Sequence, residues 1–223
     1  SIHVFLQDTT DEQIASALIA AIETPDNQDA YRKDLLQYFD VDGSFQVLLM
    51  TCEGLDSMDT VERKKLSYRI QVYLEDITHN GSFFYYNSDF VLVANALSEE
   101  YLCHLVEGAI KRGKRRMPGL QLCVGIGSRC MDISQLSVSY QRAKAAAHIA
   151  MTQKKQVVKF DDCGLFRLLY MVEDKEILKE METECLAELE KYDRKYNADY
   201  VETLRLYLKY NGSIQAVAAE MYT

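Results

Sequence analysis

The sequence predicts an α+β protein: a split βαβ sheet with helices, flanked by an N-terminal helical segment and an all-α C-terminal portion. Three observations carry this reading. Apolar residues repeat at helical spacing at the start, then fall into short β-prone runs separated by helical stretches, and finally keep helical spacing to the end. The divisions drawn are 1–42 for the N-terminal helical segment, 43–160 for the α+β domain and 161–223 for the C-terminal helical region.

In the first segment Ile14, Leu18, Ile19 and Ile22 form one stripe that ends before Pro25. A short helix follows around Tyr31 to Phe39, closed by Asp42-Gly43. Phe45 to Met50 is a continuous apolar run with the length of a buried strand. Helical spacing returns between about Thr60 and Ile77, with Val61, Leu66, Ile70 and Leu74 expected to face inward. Ser82–Tyr86 and Phe90–Ala94 are β-prone and joined by Asn87-Ser88-Asp89, a compact hairpin signal. Ser98 is a plausible N-cap for a helix reaching about Gly113. Leu120 to Ile126 is the next strand, and Leu136, Tyr140, Ala143, Ala147 and Ala150 share one face of the helix after it. Val157 to Phe160 is a last short strand. The order β-α-β-β-α-β-α-β implies an antiparallel sheet with helices on one face. Beyond Asp161-Asp162 lie a helix at Leu165–Leu169, another from Ile177 to Leu189, and a third marked by Val201, Leu204 and Leu208. It stops at Asn211-Gly212, and Ser213 caps a helix carrying Ile214, Val217, Ala218 and Met221.

Composition excludes several functions. Hydrophobic residues make up 48% and charged residues 26%, ordinary for a globular chain, and no apolar run is long enough to span a bilayer. The start has no signal-peptide pattern, so the cytoplasm is the expected location, and the missing initiator Met suggests a fragment. The cysteines Cys52, Cys103, Cys123, Cys130, Cys163 and Cys185 form no C-x-x-C pair, and the histidines His3, His79, His104 and His148 lie far apart. Buried reduced thiols are expected, with no disulfide framework, no metal and no cofactor. A net charge of −9 opposes nucleic-acid binding except through a local basic element. The run Lys111, Arg112, Lys114, Arg115 and Arg116 could contact phosphate or nucleic acid, but reads better as a solvated helix end, where cations complement the dipole. Gly125-Ile126-Gly127 is no dinucleotide fingerprint, because Cys130 stands where a third glycine is needed; small residues ending a strand explain it.

Several motifs together resemble one family. Thr203-Leu204, Tyr207-Leu208, Asn211-Gly212-Ser213, Ala218-Ala219 and Met221-Tyr222-Thr223 resemble the start of the C-terminal helix-turn-helix of bacterial PucR/CdaR-type transcriptional regulators. Val124-Gly125-Ile126-Gly127, Ser139-Tyr140 and Ala143 resemble the end of the GGDEF-like domain that precedes it in that family. Phe160-Asp161-Asp162, Gly164-Leu165 and Leu168-Leu169 resemble the connector. The resemblance runs from about residue 44 to 223. It implies a ferredoxin-like, nucleotide-cyclase-like sheet and a cytoplasmic, dimeric regulator with a sensory domain upstream, an unknown small-molecule effector and no membrane partner. DNA would be the partner of the full-length protein, with Asn211, Gly212, Ser213, Gln215 and Thr223 near the phosphates. The second, base-reading helix is missing from the chain. From Lys195 to Thr223, Lys195, Arg205 and Lys209 are balanced by Asp199, Glu202 and Glu220, so the chain itself is expected not to bind DNA measurably. The helix around Ile14 to Ile22 is a candidate dimer interface, or core.

The same resemblance raises the question of cyclase chemistry. A working GGDEF domain makes cyclic di-GMP from two GTP molecules and needs a glycine-rich acidic hairpin with divalent metal. The corresponding hairpin here is Asn87-Ser88-Asp89-Phe90, in which only Asp89 and Phe90 keep the pattern, and the first strand ends in Thr51-Cys52-Glu53. The domain is therefore expected not to be an enzyme, with Asp89 a turn residue. The alternative reading is a small-molecule or nucleotide-sensing module on the degenerate cyclase-like fold.

Overall fold

The computed structural model describes residues 9–54, 57–73, 80–116, 121–164, 166–172, 174–210 and 212–221. They form two compact units, residues 1–167 and 168–223. The N-terminal helical segment thus belongs to the same unit as the sheet.

Helix α1 (Thr9–Glu23) and the short α2 (Arg32–Leu35) lead into strand β1 (Phe45–Cys52). Helix α3 (Thr60–Tyr73), the hairpin β2 (Gly81–Tyr86) and β3 (Asp89–Asn95), helix α4 (Glu99–Arg116), strand β4 (Leu122–Ile126), helix α5 (Leu136–Thr152) and strand β5 (Val157–Lys159) follow. Among the described residues the five strands make one sheet in the order β2-β3-β1-β4-β5. The pairs β2·β3, β3·β1 and β1·β4 are antiparallel and β4·β5 is parallel. The expected split βαβ unit is therefore present, with β3 inserted between β1 and β2 and one parallel strand added at the edge.

The helices cover both faces of the sheet, correcting the expectation of one. Every residue of β1 is buried, and alternate side chains enter different cores. Phe45, Val47 and Leu49 pack with Leu18 and Ile22 of α1, Leu35 of α2, and Tyr140 and Ala143 of α5. Leu48, Met50 and Cys52 pack with Leu66 and Ile70 of α3 and with Leu102 and Val106 of α4. The apolar stripe of α1 is core: Leu18, Ile19 and Ile22 are 0–5% exposed, so this face is no free dimer surface. In α3 Val61 points outward, 59% exposed, because it sits in the first turn ahead of the packed Leu66 and Ile70. Leu74 and Ile77 lie outside the described residues, as do Pro118 and Gly119.

Asn95 fastens the N-terminal segment to the sheet. Its side-chain nitrogen donates to the carbonyls of Asp40 and Ser44, and its oxygen accepts from the Asp40 amide at 3.0 Å. Ser98 caps α4 as expected, accepting from the Tyr101 amide at 3.2 Å. The helix continues through Arg116, which puts the basic run in its last turns.

The second unit contains most of α6 (Phe166–Met171), then α7 (Lys175–Tyr196), α8 (Tyr200–Lys209) and α9 (Ile214–Met221). Helix α7 runs past the expected Leu189 and ends at Asn197 in the left-handed conformation (φ 51°). Asp193 crosses to the start of α8, accepting from the amides of Tyr200 and Val201 at 3.0 and 2.9 Å. Helices α8 and α9 bury Leu206 and Val217. Leu204 and Leu208, the residues that mark α8 in the sequence, are exposed.

Candidate functional site

The two-residue turn joining β2 and β3 holds both Asn87 (φ 47°) and Ser88 (φ 70°) in the left-handed region, the geometry of a type I′ hairpin. Asparagine tolerates this conformation; serine does so at a cost that glycine would avoid. Asp89 pairs with Tyr86 and begins β3, so it is a strand residue and not the turn residue expected. Phe90 is fully buried, stacked on Phe83 with centroids 5.8 Å apart and edge-on to Tyr85 at 5.3 Å. Its place is the core beneath α3 and α4.

A polar row crosses the sheet at this end. Tyr86 pairs with Asp89, and Thr51 pairs with Cys123. Continuing the β1·β3 register one residue past Met50–Phe90 sets Thr51 beside Asp89. Side chains from the covering helices close over the row. The Tyr86 hydroxyl donates to Glu23 Oε1, on the last residue of α1, at 2.7 Å. The Tyr86 ring lies 5.7 Å from that of Tyr140 on α5. Burial and the Glu23 carboxylate push the Tyr86 hydroxyl up to about 12. Burial also raises Tyr140, a side-chain hydrogen bond with Asn87 opposes the rise, and Asp89 and Glu23 add to it. Both phenols are thus held neutral, as hydrogen-bonding groups and not as bases. Among the described residues no three His, Cys, Asp or Glu side chains are placed to hold a metal ion. Glu53, just past β1, is exposed.

The sequence pointed to the hairpin but not to Glu23, Tyr86 and Tyr140, which close it. Nothing in their spacing joins residues from α1, β2 and α5. Tyr86→Phe is expected to cost about 1 kcal/mol, the net value of one partly exposed hydrogen bond to a charged acceptor, read as a lower urea midpoint with an unchanged m-value.

Asn211 and Thr223 lie outside the described residues. Gly212 adopts φ 84°, a conformation that favours glycine. The Ser213 oxygen accepts from the Ala216 amide at 3.4 Å, a long capping contact for α9, and Gln215 is exposed.

A groove of about 670 Å³ lies beside the edge strand β5, lined among others by Cys103, Glu107, Gln153, Lys155, Lys159 and Cys163. Lys159 Nζ bridges to Glu99 at 2.8 Å, and the hydrogen bond to that carboxylate raises the lysine's pKa. The cysteines are free: Cys52 and Cys130 are buried, Cys103, Cys123 and Cys163 half-buried, and Cys185 exposed, contrary to the expectation of burial throughout. Cys185 lies in the middle of α7.

A split βαβ sheet with helices on both faces defines an α+β domain of the ferredoxin-like class. The sequence profile of the GGDEF-like domain matches residues 30–149, just over half of the 223, and the chain belongs to that family. Two solved structures are similar at low identity. The GGDEF domain of DgcB from Caulobacter crescentus, in complex with c-di-GMP, is 9% identical with a TM-score of 0.45, covering 60% of this chain and 91% of that one. A microbial GGDEF domain described for its interaction with cyclic di-GMP is 14% identical with a TM-score of 0.42, covering 67% of this chain and 89% of that one. No curated protein matches the chain. Among the described residues no helix is long and apolar enough to cross a membrane.

Proposed function

We propose that the chain is part of a transcriptional regulator of the PucR/CdaR type, in which the GGDEF-like domain is a non-catalytic scaffold and α8 and α9 open a DNA-binding helix-turn-helix. The observation that carries this is the state of α8 and α9. They pack through Leu206 and Val217, yet Leu204, Leu208 and Ile214 remain 38–75% exposed, a seat for a further helix. A helix-turn-helix buries such residues under the helix that enters the major groove. The scaffold role is supported by the hairpin, whose turn lacks the glycine pair and whose neighbouring side chains bond to one another. The test uses the full-length gene product: salt-dependent binding to its own promoter region, lost on deleting residues 198–223, with no turnover of GTP and magnesium. Cyclase activity, or DNA binding indifferent to that deletion, would sink the reading.

A second reading, a small-molecule or nucleotide sensor, is favoured by family membership and by the groove beside β5, whose size suits a small ligand. A melting-temperature shift with GTP, GMP or cyclic di-GMP that Lys155→Glu abolishes would support it; no shift with any nucleotide would count against it.

A further inference from the structure

Helix α7 carries an apolar stripe that stays largely in solvent, although Tyr192 meets the Tyr200 ring at the start of α8 edge-on, 5.4 Å between centroids. Ile177, Met181, Cys185, Tyr192 and Tyr196 recur at intervals of about one or two turns and lie on one side, each exposed, with Ile177, Met181, Tyr192 and Tyr196 keeping roughly half their surface in solvent. Leu186, Leu189 and Asp193, on the neighbouring side, are partly buried, and Asp193 accepts from the first amides of α8. Glu188 alone interrupts the stripe, and Lys191 neutralises it at 2.7 Å.

The charges along the edge of this stripe are segregated. On one flank Glu180 and Glu184 occupy the first half, whereas Lys191 and Lys195 sit in the last two turns. A parallel copy would set like charges against like. An antiparallel copy, related by a two-fold axis crossing the helix between Cys185 and Glu188, reverses one order against the other. Ile177 then meets Tyr196 and Met181 meets Tyr192, a thioether on an aromatic ring. On the flank, Lys191 of one copy falls between Glu180 and Glu184 of the other, and Lys195 beside Glu180. The pattern is self-complementary in shape and in sign.

We propose that α7 is a dimerisation element, pairing antiparallel with α7 of a second copy of this chain. The proposal stands independently of DNA binding. Sedimentation equilibrium and light scattering on the full 223-residue chain test it. The expected result is a reversible dimer whose dissociation constant rises at least about tenfold in Met181→Glu/Tyr192→Glu. Both side chains are exposed, so an unchanged melting curve for the diluted protein shows that the fold survives. Lys191→Glu should weaken the dimer, and adding Glu180→Lys and Glu184→Lys to it should restore the affinity. A short bismaleimide should join two chains through Cys185 near the axis, and Cys185→Ser should abolish that product. A monomer at every attainable concentration overturns the proposal, as does a dimer unaffected by the α7 substitutions or a charge reversal that is not rescued.

Discussion

Gly125→Val is expected to destabilise the sheet domain by at least about 4 kcal/mol, among the largest single-residue losses a domain sustains. Strand β4 lies so close beneath α5 that a β-carbon on Gly125 would sit 2.1 Å from the Ala147 amide nitrogen and 2.2 Å from the Ala143 carbonyl oxygen. These are backbone atoms of a helix interior, and no rotamer change relieves the clash. The helix would have to lift, and with it Tyr140, Ala143 and Ala147, which fill the core under β1. For a chain of this size the loss corresponds to a fall in melting temperature of roughly 8–16 °C. Gly164→Ala is the control. It has φ 54° and nothing within 4 Å of its would-be β-carbon, so its cost is backbone strain alone, about 1 kcal/mol. Equal losses at the two sites would show that helix–sheet packing is not what Gly125 serves.

That pair of glycines illustrates what the sequence could and could not convey. Gly125-Ile126-Gly127 was legible as small residues at the end of a strand, since the third glycine of a nucleotide loop was absent. Their service to α5 was not, because it depends on which helix returns over β4. Gly127 likewise faces the Ser139 carbonyl at 2.1 Å from a hypothetical β-carbon. The strands and most helices were readable because each carries one dominant period, and the order of elements fixed the split βαβ topology. The layering escaped because a fully apolar strand such as β1 has no polar face to declare which side is open. Its alternating residues serve two cores, and α1 fills the first of them. At the hairpin, Asn87 and Ser88 announced a turn, but the closure by Glu23 and Tyr140 joins residues far apart in the chain, which no local pattern reports. In α8 the markers were apolar and periodic, yet Leu206 is the buried one; amphipathic spacing locates a helix more surely than it orients one whose packing partners are few.

Above pH 9 the sheet domain is expected to lose stability steeply while remaining insensitive to pH just below that. Burial pushes the thiols of Cys52 and Cys130 up to about 11 from an ordinary value of 9.0. Their surroundings explain the direction. Cys52 ends β1 within the apolar core beneath α3 and α4, and Cys130 packs beneath α1 and α5 with its Sγ 3.4 Å from the Phe45 carbonyl. A thiolate in either place would lie in a low-dielectric core, so the folded state retains protons that the unfolded chain releases. Because the folded pKa is the higher one, the contribution is complete below pH 9 and vanishes as pH climbs through 11. Each thiol then removes up to about 1.4 kcal/mol per pH unit in that window. Tyr86, held up to about 12 by burial and Glu23, extends the decline above pH 10 by the same reasoning. Urea midpoints at pH 8, 9, 10 and 11 measure the slope, and Cys52→Ala/Cys130→Ala should flatten it between 9 and 11 even as cavities lower the plateau. Cys185, exposed on α7, should react with a thiol reagent at once at pH 8, while Cys52 and Cys130 react only as the fold opens. A double variant with the wild-type alkaline slope would mean that the folded core accommodates thiolates, and that the packing of β1 between two helical layers is looser than its complete burial implies.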